Sequence, residues 1–250
     1  MVKERIDKVL VERGLAETRH KAQALLLAGQ IRVEGSAVTK PGTLIPPNAQ
    51  VEVLQPPPYV SRGGLKLDKG LRNFGILVTD KVAVDLGAST GGFTDCLLQF
   101  GARKVYAFDV GHGQLDWKLR NDPRVISREG VNARFLDAKD IPEPFQIVTM
   151  DLSFISATLV LPALLRVLRN LPPPATVDLL ILVKPQFEVG RENVGRGGIV
   201  KEESLHTMAI AKVTEFARSI GFDLRGVTES PIRGAEGNKE FLVYLVWRTR

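Results

Sequence analysis

The sequence predicts an α/β protein in two parts: a small N-terminal α/β module, then a larger domain on a Rossmann-like sheet, mostly parallel with its last strand antiparallel. Three observations carry that expectation. From Tyr59 onward, short apolar runs alternate with amphipathic stretches, the rhythm of parallel strands and crossover helices. Near the end, two strand-like segments follow one another with only a loop between them, and strands joined without a crossover helix pair antiparallel. Between the two parts, Pro56-Pro57-Pro58 reads as a stiff polyproline spacer. The chain has 250 residues, 44% hydrophobic and 25% charged. That is enough apolar material for one large domain beside a small one, and it excludes wholesale disorder.

The expected boundaries are a module at 1–55, a spacer at 56–61 and a domain at 62–250. In the module, Ile6, Val9 and Leu10 share one helical face, as do Ala22, Leu25 and Leu26. Gly14 and Gly29 follow as stop signals. Ile31 and Val33 alternate into a turn at Glu34-Gly35-Ser36, and Val51-Glu52-Val53 alternates again, so short strands follow the helices. In the domain, 65–74 reads as a helix with Leu67 and Leu71 on one face. The strand and helix pairs are then Val82–Leu86 with 92–100, Val105–Val110 with 113–120, Ile147–Met150 with 156–170, and Leu179–Val183 with 203–220. A third strand precedes Asn132. Leu224–Thr228 and Phe241–Trp247 are the two closing strands. A reversed pair at the end belongs to the methyltransferase version of the doubly wound fold rather than the nicotinamide-binding one.

Composition removes several function classes. A single cysteine, Cys96, leaves neither a disulfide framework nor a cysteine-rich zinc site and fits a reducing compartment. His20, His112 and His206 lack metal-ligand spacing, so no metal is expected. No apolar run approaches the about 18 residues of a membrane span. The start, Met1-Val-Lys-Glu-Arg-Ile, is charged and has no apolar signal core. A cytoplasmic protein, monomeric or weakly dimeric, is the expectation.

The net charge is +6, and residues 1–72 hold 12 Lys/Arg against 7 Asp/Glu. The excess sits in the front module and the segment just after it. Such a module beside a near-neutral domain suits a polyanion such as nucleic acid, or else is simply a solvated basic face.

Val82-Ala-Val-Asp85-Leu-Gly87-Ala-Ser89-Thr-Gly91-Gly92-Phe93-Thr94 is a strand, a glycine-rich turn and a helix start. Glycines admit a ligand close to the backbone, and a helix N-terminus offers free N–H groups. The spacing is not G-x-G-x-x-G, which weakens a dinucleotide reading. Asp85, before the first glycine, is placed to face an α-ammonium directly or through water and would repel a pyrophosphate. Asp109 ends the next strand, where a carboxylate accepts both ribose hydroxyls of a nucleoside. Acids at both strand tips with glycines between fit S-adenosylmethionine better than NAD or ATP. Asn132 either hydrogen-bonds adenine or closes an ordinary strand-end turn.

Four more residues fall at the sheet's carboxyl edge or beside it. Asp151 ends the fourth strand, Lys184 ends the fifth before Pro185, Glu240 opens the last strand, and Lys66 lies on the helix ahead of the domain. Two lysines and two carboxylates can hold and deprotonate an alcohol during in-line methyl transfer, a reaction that needs positioning and a base but no metal. The bland alternative is a structural Lys184–Asp151 ion pair.

Together, Asp85-Leu-Gly-Ala-Ser-Thr-Gly-Gly-Phe-Thr-Asp, Asp151-Leu-Ser-Phe-Ile-Ser, Val183-Lys-Pro-Gln-Phe-Glu and Ser61-Arg-Gly-Gly-Leu-Lys-Leu closely resemble the TlyA family. Its members, often labelled hemolysins, are rRNA cytidine-2′-O-methyltransferases with an FtsJ-like catalytic domain. Thr18-Arg-His-Lys-Ala-Gln-Ala-Leu-Leu-Leu-Ala-Gly-Gln-Ile-Arg-Val-Glu-Gly resembles the S-four-like RNA-binding domain. The resemblance implies a Lys-Asp-Lys-Glu tetrad at Lys66, Asp151, Lys184 and Glu240, with Lys69, one turn on, as the alternative first lysine. It also implies S-adenosylmethionine contacts at Gly91, Phe93 and Asp109. With the neighbouring loop residues, the cofactor set is Asp85, Gly87, Ser89, Gly91, Gly92, Phe93, Asp109, Val110 and Asn132. Ser89 stands where many methyltransferases carry glycine.

Ribosomal RNA or ribosomal subunits are then the expected partner, with no membrane. Residues 1–58 contain no Phe, Tyr or Trp, so the module cannot stack on bases and must grip phosphates and RNA shape. The expected contacts are Arg5, Arg13, Arg19, Lys21, Arg32 and, beyond the spacer, Arg62. On helical spacing Arg19 and Gln23 share a face and Lys21 lies off it. The glycine-rich stretch 190–198, carrying Arg191 and Arg196, either closes over the substrate or is a plain connector. Two other readings compete: an RNA-binding accessory protein without chemistry, and a membrane-active hemolysin.

Overall fold

The structure is a computed structural model that describes residues 3–54, 57–173 and 175–249. Met1, Val2 and Pro56, which entered the readings of the chain start and the spacer, lie outside these residues. The chain divides into two compact units between Pro57 and Pro58.

In the smaller unit, α1 (Ile6–Glu12) and α2 (Arg19–Leu27) bury Ile6, Leu10, Ala22 and Leu26 completely. Thr18 caps α2, its hydroxyl accepting from the Lys21 N–H at 3.2 Å. Gly29 takes a left-handed φ of +69° after α2, and the Gly29 and Gln30 N–H groups bond the Leu26 and Leu25 carbonyls. That arrangement ends the helix with its last carbonyls satisfied. β1 (Glu4–Arg5) pairs antiparallel with β4 (Leu44–Ile45), and β2 (Ile31–Val33) lies between β3 (Ser36–Ala37) and β5 (Val51–Val53), antiparallel to both. Val33 pairs Ser36 across a two-residue loop in which Glu34 and Gly35 both have positive φ, so the expected turn is a tight hairpin.

The larger unit carries a seven-stranded sheet: β6 (Val82–Leu86), β7 (Lys104–Asp109), β8 (Val125–Glu129), β9 (Ile147–Met150), β10 (Thr176–Val183), β11 (Asp223–Glu229) and β12 (Phe241–Arg248). Their spatial order is β11-β12-β10-β9-β6-β7-β8. β12 lies between β10 and β11 and is antiparallel to both, while the other neighbouring pairs are parallel. The sheet class read from the sequence is therefore the observed one. Every residue of β6 is buried, as a strand covered on both faces requires. α3 (Gly63–Phe74), α4 (Gly92–Gln99) and α5 (Trp117–Arg120) cover one face; α6 (Leu161–Leu168) and α7 (Glu203–Ser219) cover the other.

Two helical stretches are shorter than their periodicity suggests. Gly113 has a φ of +67°, so 113–120 becomes helical only at Trp117, where Asp116 caps it. The 156–170 stretch breaks at Val160 between a 3-10 turn (Ala157–Leu159) and α6. Residues 58–61, expected in the spacer, pack on the larger unit. Tyr59 is buried in its core, and the Val60 N–H donates to Asp95 at 2.9 Å. Among the described residues no helix is long and apolar enough to cross a membrane, and no group of three or more His, Cys, Asp or Glu is arranged to hold a metal ion.

The strand order reverses at β6, whose neighbours are β7 and β9. A crevice opens outside the carboxyl ends of strands at such a point. Gly87 makes it passable. Its φ is +87°, and a Cβ there would collide with the Asp151 carbonyl oxygen at the end of β9.

Candidate active site

The crevice has two lobes that share one wall. The larger, about 870 Å³, runs from Asp109, Val110 and Asn132 to Asp151, and the smaller, about 400 Å³, from Asp151 to Lys66 and Glu240. Gly87, Ser89, Asp151, Ser153, Phe154, Gln186 and Phe187 line both. A compartment of the larger one's size accommodates a nucleoside-sized ligand.

Lys66, Asp151, Lys184 and Glu240 all face the smaller lobe. They form two ion pairs. Lys66 Nζ lies 2.5 Å from Glu240 Oε2, and both residues are nearly buried. Lys184 Nζ lies 2.6 Å from Asp151 Oδ1 and donates to Ser153 Oγ at 3.0 Å. The Lys184–Asp151 contact is an electrostatic one, since Asp151 Oδ1 is buried with no aligned hydrogen bond. The antiparallel register explains how a late residue joins this group: Val183 pairs Phe241, so Lys184 and Glu240 are adjacent strand-end positions. Lys69, the alternative to Lys66, is exposed and lines neither lobe.

At the larger lobe, the Asp109 carboxylate accepts from the Ser89 and Gly111 N–H groups, each at 2.7 Å. Those bonds hold Ser89 in a left-handed φ of +49°, so a non-glycine residue occupies the turn. Asn132 Oδ1 accepts from the Arg134 N–H at 3.0 Å, which leaves its amide N–H groups for a ligand.

Residues 59–247 match the family profile of the FtsJ-like methyltransferases, and residues 4–51 match the S4 domain. YqxC of Bacillus subtilis, provisionally named an rRNA methyltransferase, is 47% identical over 98% of this chain and 86% of its own. The 16S/23S rRNA (cytidine-2′-O)-methyltransferase TlyA of Mycobacterium tuberculosis is 42% identical over 98% of this chain and 90% of its own. A solved structure from Streptococcus thermophilus, provisionally described as a hemolysin, superposes with a TM-score of 0.72 at 44% identity, covering 99% of this chain and 90% of that one.

The chain belongs to the TlyA, or hemolysin A, family.

The residues expected at the TlyA-type cofactor site fall in different places. Asp85 does not reach the crevice. It is fully buried and accepts from Thr94 Oγ1 at 2.7 Å and Thr149 Oγ1 at 2.8 Å, tying β6 to α4 and β9. Burial pushes its carboxyl up to about 6, against the two threonine hydrogen bonds. Gly91 lines neither lobe; a side chain there would strike Leu119 and Leu115, so packing demands the glycine. Gly92 and Phe93 line the smaller lobe rather than the nucleoside-sized one.

The basic residues of the S4 domain divide similarly. Arg13 donates to the Ala49 and Pro47 carbonyls at 2.7 and 2.6 Å, so it braces the unit. Arg5, Arg19 and Gln23 all donate to the buried Asp7, in keeping with the shared face of Arg19 and Gln23. The Arg5 hydrogen bonds above all hold the Asp7 carboxyl far below the usual carboxylate range. Arg5 and Arg19 remain about half exposed, with donors left over. Lys21 pairs with Glu17 at 3.3 Å on the surface, and Arg32 is exposed. In the larger unit Arg62 is exposed and lines the smaller lobe, Arg191 lines the larger one, and Arg196 lines neither.

Two contributors escape sequence reading. Phe154 is 88% exposed, has a φ of +65°, and stands on the shared wall with its ring centroid 5.3 Å from that of Phe187. A large exposed aromatic on a strained backbone is a costly feature with no packing reason. Glu188 is buried and accepts from Ser156 Oγ at 2.5 Å and the Ala157 N–H at 2.8 Å, fixing the loop that follows Asp151. Both lie inside motifs that carry the family resemblance, Asp151-Leu-Ser-Phe-Ile-Ser and Val183-Lys-Pro-Gln-Phe-Glu, but nothing in the sequence assigned either a role.

Proposed function

We propose that this chain transfers a methyl group from S-adenosylmethionine to the ribose 2′-hydroxyl of a cytidine in ribosomal RNA, in the cytoplasm. The observation that carries the reading is the pair of ion pairs, Lys66–Glu240 and Lys184–Asp151, in a lobe that meets a nucleoside-sized lobe at Asp151. The larger lobe suits the cofactor: a carboxylate at Asp109 for ribose hydroxyls, an amide at Asn132, and Val110, Phe108 and Leu152 against the adenine. The bound cofactor supplies an electrophilic sulfonium methyl group.

The residues of the smaller lobe then do the rest. Each lysine is fixed by its carboxylate, so the two ammonium heads cost little further ordering when an alcohol enters. The hydroxyl proton would pass to the Asp151 carboxylate, whose Oδ1 is buried without a hydrogen-bond partner among the described residues, while the Lys184 ammonium holds the oxygen that would accept the cofactor's methyl group. Ser153 steadies Lys184 through its 3.0 Å hydrogen bond. Phe154, on the shared wall, offers a face on which the unstacked target base rests. The S4 domain supplies phosphate contacts through Arg5, Arg19, Lys21 and Arg32.

The test is transfer of tritiated methyl from labelled cofactor to purified ribosomal subunits, with ribose methylation mapped by mass spectrometry. Label on a cytidine 2′-oxygen, lost by at least ~10²-fold in Lys184→Met with cofactor binding retained in calorimetry, is the expected result. Full transfer by that variant, or none by the wild type, overturns the proposal.

A further inference from the structure

The end of the sheet opposite the crevice holds a separate concavity of about 630 Å³. Three arginines form it: Arg169 directly after α6, Arg218 in the last turn of α7, and Arg248 at the end of β12. Ser219 and Thr249 add hydroxyls and Trp247 an apolar wall, and among the described residues no carboxylate side chain lines it. All three arginines are exposed. Arg248 gives one guanidinium nitrogen to Asp223 at 2.9 Å and keeps further donors. Among the described residues, Arg169 and Arg218 make no ion pair.

Helix polarity explains part of this. A cation in a last helical turn is favoured by the helix dipole, which covers Arg218 and, less directly, Arg169. It does not account for Arg248, which ends a strand, nor for three arginines lining one hollow with no acidic side chain among its described lining residues. Like charges gathered this way repel, and a ligand with several anionic oxygens relieves them. The planar guanidinium fork matches phosphate geometry.

Distance separates this hollow from the chemistry. Arg248 pairs with Thr176 at one end of β10, and Lys184 follows Val183 at the other. At about 3.3 Å per residue the two ends lie roughly 25 Å apart. We infer that the hollow is a second RNA-binding site, taking phosphodiester groups of the same substrate RNA whose target nucleotide enters the crevice. This rests on RNA being the substrate. A partner held at both ends of the sheet must span the domain, which a large folded RNA does and a short oligonucleotide does not.

The experiment compares the full-length wild type with Arg169→Gln/Arg218→Gln/Arg248→Gln. Binding to purified ribosomal subunits and to a short single-stranded oligonucleotide is measured between 50 and 200 mM salt. Inorganic phosphate is titrated in parallel, followed by tryptophan fluorescence. The expected result is a subunit affinity lower by about ten-fold or more and a log–log salt slope shallower by about two to three, near one for each phosphate that is no longer neutralised. Oligonucleotide binding, cofactor binding and melting temperature stay unchanged. An unchanged subunit affinity and slope overturns the inference, and so does an equal loss on the short oligonucleotide. Arginine-dependent phosphate binding with an unchanged subunit slope also overturns it and makes the hollow a site for free anions. Because the readout is the salt slope rather than turnover, a protein that binds subunits without methylating them refutes the proposed reaction and leaves this site standing.

Discussion

Replacing Asp85 with asparagine tests the claim that this residue is a buried brace under the crevice rather than a ligand contact. The carboxyl is fully buried and pushed up to about 6 from an ordinary 3.8, chiefly by burial, with Asp151 adding to the shift and the Thr94 and Thr149 hydroxyls opposing it. The folded state therefore binds this proton more tightly than the unfolded chain. Its stabilising contribution is complete below about pH 4 and is lost as pH rises through about 6. A shift of about two pKa units corresponds to roughly 3 kcal/mol. Asparagine keeps the shape and still bonds both threonines, whose hydroxyls accept as well as donate, but it does not titrate. Urea denaturation of wild type and Asp85→Asn should thus diverge with pH. The variant gains about 2 kcal/mol on the wild type between pH 4.5 and 7.5, part of the full effect being lost already by pH 4.5, and each kcal/mol is about 2–4 °C in melting temperature in a domain of this size. Taking the difference between the two proteins cancels other titrating groups, Asp7 included. A difference independent of pH, or one that shrinks as pH rises, refutes the reasoning.

Three further outcomes follow from the geometry. Lys66→Ala strands the Glu240 carboxylate, which is only 3% exposed, and should cost about 3–5 kcal/mol; Lys66→Met with Glu240→Leu should recover most of it, read by denaturation in a double-mutant cycle. Gly87→Ala must place a methyl against the Asp151 carbonyl at a φ that alanine avoids, so it should abolish methyl transfer and lower stability by about 1–3 kcal/mol. Phe154→Gly relieves a left-handed backbone but gives up the ring contact with Phe187, two opposing effects of about 1 kcal/mol each, so stability should change little, while the KM for RNA rises and cofactor affinity in calorimetry stays the same.

The sheet was legible because burial on two faces writes itself as an unbroken apolar run, as in Val82–Leu86, and because Leu224–Thr228 and Phe241–Trp247 are joined by a segment that Pro231, Gly234 and Gly237 keep from forming an amphipathic crossover helix. β1 and β4 were not legible, since two residues carry no periodicity. The convergence of Asp151, Lys184 and Glu240 on one lobe followed from topology, because strand ends on one edge of a sheet are neighbours whatever their sequence separation; Lys66 reaches the same lobe from α3. Side-chain direction was the missing information elsewhere. An acid two positions before Gly87 looks the same in sequence whether it faces the crevice or, as Asp85 does, turns to Thr94 and Thr149. Counting arginines could not reveal that Asp7 collects Arg5 and Arg19 or that two carbonyls occupy Arg13. Phe154 and Glu188 sit in loops, where neither period nor propensity signals a direction.

The reversed strand β12 also bears on assembly. It lies inside the sheet, yet it is made after every other strand, and it brings the acid that partners Lys66. A nascent chain lacking it would leave β10 with a raw edge and one amine without its counter-ion, whereas the nucleoside-sized lobe would already have its walls. Methyl-donor capture and acceptor activation should thus mature at different moments during synthesis, the second awaiting the final insertion.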